Sequence, residues 1–267
     1  MQFLPVTQND LAELRNLTPE GWDDIVPDFV FYLNAPYCKP FKIQDGTKIA
    51  GVGTSITFGK TSWIAHIIVD KEYRRRGIGY RIVAELLVDL KADEVDSCSL
   101  IATEMGNSIY ERFGFVEVTE YTFLQRQKRW HDIPLSPHVI PCRPEHVPAI
   151  LELDKKVSGE DRELLLQNFL PGTLVYFHDK AVQGYYIPNL REGPVIADNE
   201  EAGFALMNAK YAMADKAVLP SDNTAGIRFL KENGFAETDK KGTRMVYGDP
   251  VAVQLDKMYA RIGGNLG

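Results

Sequence analysis

Apolar residues change their spacing several times along the chain, and each change marks an element. Residues 2–6 make a short apolar strand, and Leu11, Leu14 and Leu17 follow at helical spacing behind Asn9 or Asp10 as cap. Trp22, Ile25, Phe29 and Tyr32 carry helical spacing through a second helix predicted for 21–33. Segments 39–44, 48–58 and 62–69 then alternate or run apolar over strand lengths, with turns at Asp45-Gly46 and Gly59-Lys60, so this stretch reads as a meander. From Gly77 the pattern changes again: Ile78, Ile82, Val83, Leu86, Leu87 and Leu90 recur three and four apart, which predicts one helix with a continuous apolar face. A buried strand at 97–103, a short helix at 107–113 ended by Gly114, and an alternating strand at 116–124 complete a mixed α/β order.

Residues 126–138 are polar, contain Pro134 and Pro137, and separate this half from another of similar rhythm. The second half is predicted to hold helices at 145–155, 161–169, 200–212 and 223–233, strands at 173–177 and 181–187, and a closing helix at 251–262. An offset of 120 aligns Gly114-Phe115 with Gly234-Phe235 and Glu117 with Glu237. The pairing reads as an internal duplication of one α/β unit. The expected organisation is a first domain at 1–127, a linker at 128–138 and a second domain at 139–267.

Composition narrows the function classes. Of 267 residues 45% are hydrophobic and 25% charged, the balance of a folded globular protein. A formal net charge of -7 argues against a broad nucleic-acid surface. Cys38, Cys98 and Cys142 are widely spaced and odd in number, so neither a disulfide framework nor a zinc pattern is present, and no metal is expected. No cationic leader precedes an apolar stretch and no run of about 18 apolar residues occurs, so the expectation is a cytoplasmic protein without a membrane partner. No segment specifies an oligomeric partner.

The strongest local signal is Arg74-Arg75-Arg76-Gly77-Ile78-Gly79-Tyr80, between the apolar strand at 62–69 and the amphipathic helix. Gly77 and Gly79 let backbone approach a ligand closely, and the helix N-terminus adds outward N–H groups and partial positive charge. Three arginines can grip further phosphate oxygens in forked geometry. The string is a phosphate site, but of neither common nucleotide class. No Gly-x-x-x-x-Gly-Lys-Ser/Thr occurs, and the third glycine of a dinucleotide fingerprint is replaced by Ile82.

Arg74, Gly77 and Gly79 match the Arg/Gln-x-x-Gly-x-Gly/Ala hallmark, and the sequence resembles the GNAT superfamily of acetyltransferases over about residues 2–125. The strand before the loop, the helix after it, and Tyr110-Glu111-Arg112-Phe113-Gly114-Phe115 fall in the family's order. The resemblance implies tandem GNAT-like domains, each a mostly antiparallel splayed sheet flanked by helices. It implies that the backbone of Ile67, Ile68 and Val69 pairs with the pantetheine arm of acetyl-CoA, and that Arg74, Arg75, Arg76, Gly77, Ile78, Gly79 and Tyr80 wrap its pyrophosphate. The family's Asn seven residues before the tyrosine is here Thr103, whose hydroxyl can still hydrogen-bond the arm. The second half resembles the C-terminal domain of two-domain GNAT proteins in Gly184-Tyr185, Arg191 and Gly193-Pro194, but 194–199 lacks the glycine pair and the arginines, so this half is a degenerate copy.

Amide formation from a thioester needs a neutral amine, and an alkyl amine of pKa about 10.4 is almost wholly protonated at neutral pH. A base or water chain must take that proton, and the leaving thiolate must receive one. By the resemblance Tyr110 is the general acid. Either Glu104, just past the strand end, or His66, in the strand before the loop, is the base, although strict alternation turns His66 away from Trp63, Ala65 and Ile67. Phe29, Phe31 and Tyr32 shape the acceptor side, and Arg191 favours an acceptor bearing a carboxylate or phosphate. The expected activity is N-acetylation of a primary amine of a small-molecule or amino-acid-like acceptor. The alternative is a CoA-binding sensing module without turnover.

Overall fold

A computed structural model describes residues 1–103, 106–128 and 134–267. The chain divides into two compact units: Met1–Leu100 with Gly106–Val116 and Val246–Asp249, and Ile101–Met105 with Glu117–Met245 and Pro250–Gly267. The division is not linear in sequence, since it assigns most of the strand that follows Gly114 to the second unit and a few late residues to the first.

The first unit opens with β1 (Gln2–Pro5), the single-turn helix α1 (Leu11–Leu14) and α2 (Val26–Asn34). The helix predicted for 21–33 begins later than its apolar spacing suggests. Gly21 takes φ +80, the Asp24 carboxylate accepts from the backbone N–H of Val26 at 3.0 Å, and Pro27 occupies the first turn, where its missing N–H costs nothing. Next come β2 (Cys38–Asp45), β3 (Lys48–Phe58) and β4 (Thr61–Val69), then α3 (Ile78–Ala92), most of β5 (Ser97–Ala102) and α4 (Asn107–Glu111).

Strands run in the order β1-β2-β3-β4-β5, antiparallel up to β4. β5 is parallel to β4 and pairs with it only over Thr61–Trp63 against Ser97–Ser99. Helix α3 lies on β3 and β4 and buries Ile82, Val83 and Leu86 completely. Full burial of such a side chain is worth about 1.5–3 kcal/mol, so this one stripe anchors the helix that begins at the arginine-rich loop. Gly53 permits the approach: a Cβ there would sit 2.5 Å from Cγ2 of Ile82 and 2.9 Å from Cδ1 of Ile67.

The second unit holds most of β6 (Val116–Arg126), then β7 (Val139–Pro141), α5 (Val147–Ser158), α6 (Glu163–Leu166), β8 (Leu174–His178), β9 (Ala181–Tyr186), β10 (Val195–Ala197) and α7 (Glu200–Tyr211). It continues through β11 (Lys216–Pro220), α8 (Thr224–Glu232), β12 (Phe235–Gly248) and β13 (Met258–Ala260). One group of strands is ordered β12-β6-β11, and a five-stranded sheet is ordered β13-β10-β9-β8-β7. Leu206, Met207 and Tyr211 of α7 are fully buried in its core. Asn223 caps α8, its side chain accepting from the Gly226 N–H.

The closing helix expected at 251–262 does not form. That segment holds a 3-10 turn at Leu255–Lys257 and then β13, paired antiparallel with β10 through Val195 and Ala260. Met258, Tyr259 and Ala260 are all buried. A run buried on both faces carries no alternation, so its spacing fits a helix as well as a strand, and packing decides. Among the described residues no helix is long and apolar enough to cross a membrane. Nor are three or more His, Cys, Asp or Glu among them grouped to hold a metal ion.

Candidate active site

The site begins with a fault in the pairing of β3 and β4. Val52 faces Ile68 and Thr54 faces Ala65, so Gly53 alone stands opposite both His66 and Ile67. His66 absorbs this bulge with φ +51, a left-handed conformation a side chain adopts only under constraint. The alternation that would turn His66 away from Ala65 therefore ends at the residue in question. Because β5 leaves β4 after Trp63, the Ile67, Ile68 and Val69 stretch keeps β3 on one edge and is not paired with β5 on the other.

Val69 leads into the loop. Asp70 accepts from the backbone N–H of Glu72 at 2.8 Å and caps a 3-10 turn at Lys71–Tyr73. The Tyr73 ring is buried, donates its hydroxyl to Asp45 at 3.2 Å and carries the Arg76 guanidinium 5.4 Å from its centroid. Arg74 donates Nε–H to the Val69 carbonyl at 3.3 Å. Arg75 (φ +61) and Gly77 (φ +78) are both left-handed, which turns the chain sharply enough for α3 to start at Ile78. The first helical hydrogen bond runs from the Arg81 N–H to the Gly77 carbonyl at 2.9 Å, so the N–H groups of the preceding residues have no acceptor within the helix. Arg74, Arg75, Arg76 and Gly77 are exposed around that end. Gly79 has ordinary space: a Cβ would lie 3.5 Å from Cγ2 of Val69. Tyr80, 40% exposed, stacks on Phe113 with centroids 4.3 Å apart, and the Arg112 guanidinium sits 5.1 Å from the Tyr80 centroid.

Tyr110 is on α4, its ring edge-on to Phe115 at 5.8 Å. Desolvation of its phenolate pushes the pKa up to about 12, so the hydroxyl keeps its proton across the neutral range.

His66 is the centre of a ring cluster. Phe29, Tyr32 and Trp22 meet it edge-on at 5.8, 5.6 and 6.2 Å. Its Nδ1 is 2.8 Å from the Tyr32 hydroxyl, and its Nε2 is 3.4 Å from Oδ2 of Asp28. Burial pushes its pKa down to about 4, so the ring is neutral at pH 7 and has one donor and one acceptor. A carboxylate only accepts, which assigns the N–H to Nε2 and leaves Nδ1 to accept from the Tyr32 hydroxyl. Both nitrogens are thus engaged. Tyr32, expected to face the acceptor, is 1% exposed and spends its hydroxyl on His66. Phe31 packs edge-on to Tyr32 and Tyr37 at 5.9 and 6.3 Å.

Asp28 was not singled out by spacing, although a signal for it exists: it precedes Tyr32 by four residues, which puts both on one face of α2. Glu104 lies outside the described residues. Thr103 is exposed just after β5 and belongs to the second unit. Arg191 also belongs to the second unit, exposed in the turn between β9 and β10 with φ +52. In that unit the N-terminus of α7 is closed by its own chain. Asn199 accepts from the Ala202 N–H at 2.9 Å, and Glu200 and Glu201 fill the first turn. An anion finds no welcome there, in agreement with the missing arginines.

Two family models, each described as acetyltransferase (GNAT) domain, match residues 28–132 and 150–260. An uncharacterized N-acetyltransferase, YitH, of Bacillus subtilis (strain 168) is 27% identical over 225 residues, 79% of this chain and 78% of its own. The fold is similar to that of a putative acetyltransferase from Pyrococcus horikoshii, with a TM-score of 0.83 at 20% identity over 100% of this chain and 95% of the other. It is also similar to a tandem GNAT protein from the clavulanic acid biosynthesis pathway, with a TM-score of 0.65 at 16% identity over 93% and 99% of the two chains.

Proposed function

Because the chain belongs to the GNAT acetyltransferase family, with two such domains in tandem, we propose that it is an acetyl-CoA-dependent N-acetyltransferase acting on a primary amine of a small or amino-acid-like acceptor. The observation that carries this reading is the junction of β4 and α3: a strand edge that β5 has left, running into an exposed arginine loop that ends on a left-handed glycine at a helix N-terminus. The residues present fit acetyl-CoA. The backbone of Ile67, Ile68 and Val69 suits the amide-bearing pantetheine arm, and the loop of Arg74 to Tyr80 suits a pyrophosphate.

Acetyl-CoA supplies the thioester carbon that the amine attacks. The C–N bond forms, the C–S bond breaks, the nitrogen gives up one proton to solvent, and Tyr110 delivers its hydroxyl proton to the departing sulfur and is reprotonated from solvent. Its raised pKa supports that role, because the acid must be protonated when the thiolate leaves. The second domain's closed helix end supports a single acetyl-CoA site per chain. Isothermal calorimetry with acetyl-CoA, together with thiol release in the presence of an amine panel, tests the reading. Saturable binding and amine-dependent thiol release are expected, and absence of binding overturns it.

A further inference from the structure

The order of elements in the second unit repeats that of the first: β9, β10, α7, β11 and α8 follow one another as β3, β4, α3, β5 and α4 do. In the first unit β5 leaves β4 after Trp63, and the edge so opened is the one assigned above to the amide-bearing arm. In the second unit the corresponding edge of β10 is already taken, by β13. We propose that the groove between β10 and β11 is a second pantetheine-arm site, that β13 is its built-in occupant, and that the groove takes an unphosphorylated pantetheine chain when β13 detaches. The inference rests on the assignment of the β4 edge to the arm of acetyl-CoA.

Four observations carry it. First, β10 has β9 on one edge, while β11 lies next to β6 in another sheet. β13 fills the opening this leaves. It runs antiparallel to β10, with Val195 opposite Ala260 and Ile196 opposite Met258, and it packs against β11 on its other side, where the Arg261 N–H donates to the Val218 carbonyl at 3.2 Å. A peptide strand and a pantetheine chain offer a strand edge the same partners, amide N–H and C=O groups along an extended backbone. Second, the Met258 carbonyl is held as a ligand carbonyl would be: it accepts from the Asn223 side-chain amide at 3.1 Å, while Oδ1 of Asn223 accepts from the Gly226 N–H at 2.7 Å. Asn223 is buried and lies 120 residues after Thr103, the offset that aligns the two halves. Third, α7 is shaped to the occupant. A Cβ on Gly203 would stand 2.5 and 2.6 Å from Cε1 and Cε2 of Tyr259, so any side chain there would displace the ring that lies on the helix. Fourth, Lys257 anchors the entry of β13 by donating to the Asp198 carbonyl at 2.7 Å, beside an α7 N-terminus that Asn199 caps and Glu200 and Glu201 make unfavourable for a phosphate. The groove therefore suits the neutral amide chain and not the nucleotide end of the cofactor.

The site binds without chemistry of its own. Shifted by 120, Tyr110 falls on Leu230, which is fully buried and has no proton to give. Met258, Tyr259 and Ala260 are buried as well, so the closed arrangement prevails in the parent, and a free chain gains the groove only in the population from which β13 has lifted. Loosening β13 raises that population and exposes the edge of β10 to a ligand from solution.

The test follows amide hydrogen exchange at residues 195–197 and 258–260 of the full chain, in the parent, Gly203→Ala and Tyr259→Leu, with and without millimolar pantetheine. Gly203→Ala pushes the ring away from the helix side and Tyr259→Leu removes it, so either variant serves if the other fails to fold. In a loosened variant, exchange at 258–260 should run at least about tenfold faster than in the parent. Pantetheine should then slow exchange at 195–197 at least about threefold, by covering the vacated edge. Phosphopantetheine should bind there at least about fivefold more weakly, because Glu200 and Glu201 oppose its phosphate. Adding Asn223→Ala should remove the pantetheine effect and leave 258–260 open. Exchange at 195–197 that pantetheine does not alter once 258–260 is open overturns the inference, as does equal or tighter binding of phosphopantetheine. If 258–260 exchanges no faster in either variant, or neither variant folds, β13 is core and not an occupant, and the inference is overturned too. All of these outcomes leave the acetyltransferase reading intact, because they are read at β10 and β13. A parent protein that binds no acetyl-CoA by calorimetry overturns that reading and this inference with it.

Discussion

The Tyr32 hydroxyl lies 2.8 Å from Nδ1 of His66, across the gap between a helix that begins the chain's aromatic cluster and a strand that bulges to meet it. His66 sits at the bulge with φ +51, and burial of its ring, not the hydrogen bond, keeps it neutral at pH 7.

That ring links stability to pH. Burial lowers the pKa of His66 from its ordinary 6.5 to about 4, so between these values the unfolded chain takes up a proton that the folded chain refuses. The contribution is whole above pH 6.5 and is lost as pH falls towards 4, with a slope approaching about 1.4 kcal/mol per pH unit. Urea unfolding at pH 7 and pH 5 should show a larger loss for the parent than for His66→Gln. Equal losses would mean that the ring does not titrate in this window.

The two glycines of the loop separate folding from ligand approach. Gly77 has φ +78, so Gly77→Ala should destabilise by about 1 kcal/mol through the left-handed backbone alone. Gly79 has no such constraint and has room for a Cβ. Gly79→Leu should therefore lower acetyl-CoA affinity tens of fold, by occupying the space a pyrophosphate needs, with little change in melting temperature. A large melting shift in Gly79→Leu would assign that residue to packing.

Tyr110→Phe should lower kcat about a hundredfold and leave acetyl-CoA affinity nearly unchanged, the pattern of a group used only in the transition state. Because burial holds the Tyr110 hydroxyl at about 12, the parent's rate should show no alkaline decline near 10, where an ordinary phenol ionises. Full activity in the variant would remove Tyr110 from the chemistry and leave the binding site standing.

In the second unit Arg162 grips Asp154 in forked geometry, Nε to Oδ2 at 3.0 Å and Nη2 to Oδ1 at 2.6 Å, and both side chains are 1% exposed. The Tyr185 hydroxyl donates to the same carboxylate. Arg162→Met would leave Asp154 in a dry interior without its cation, and should cost about 3–5 kcal/mol in a denaturant titration. A loss below about 1 kcal/mol would mean that water reaches the carboxylate.

Local pattern made much of the fold legible: the apolar stripe of α3 has one buried face, which spacing encodes directly, and β2 to β4 are strand-length runs set off by the turns at Asp45-Gly46 and Gly59-Lys60, although β3 is buried on both faces. The phosphate loop was legible for the same local reason, since Arg74, Gly77 and Gly79 act through a single turn of chain. β13 was not, because Met258, Tyr259 and Ala260 are buried all round and only pairing with β10 distinguishes strand from helix. The role of His66 was also beyond the sequence. A bulge is a mismatch between two strands, decided by where Gly53 yields to α3, and the partners it gives the ring, Tyr32 and Asp28, are 34 and 38 residues away in the chain. Sequence fixes what lies within a turn or along one periodic face. Contacts between distant elements follow from how those faces pack, and they determine which nitrogen of His66 carries its proton and which carboxylate it holds.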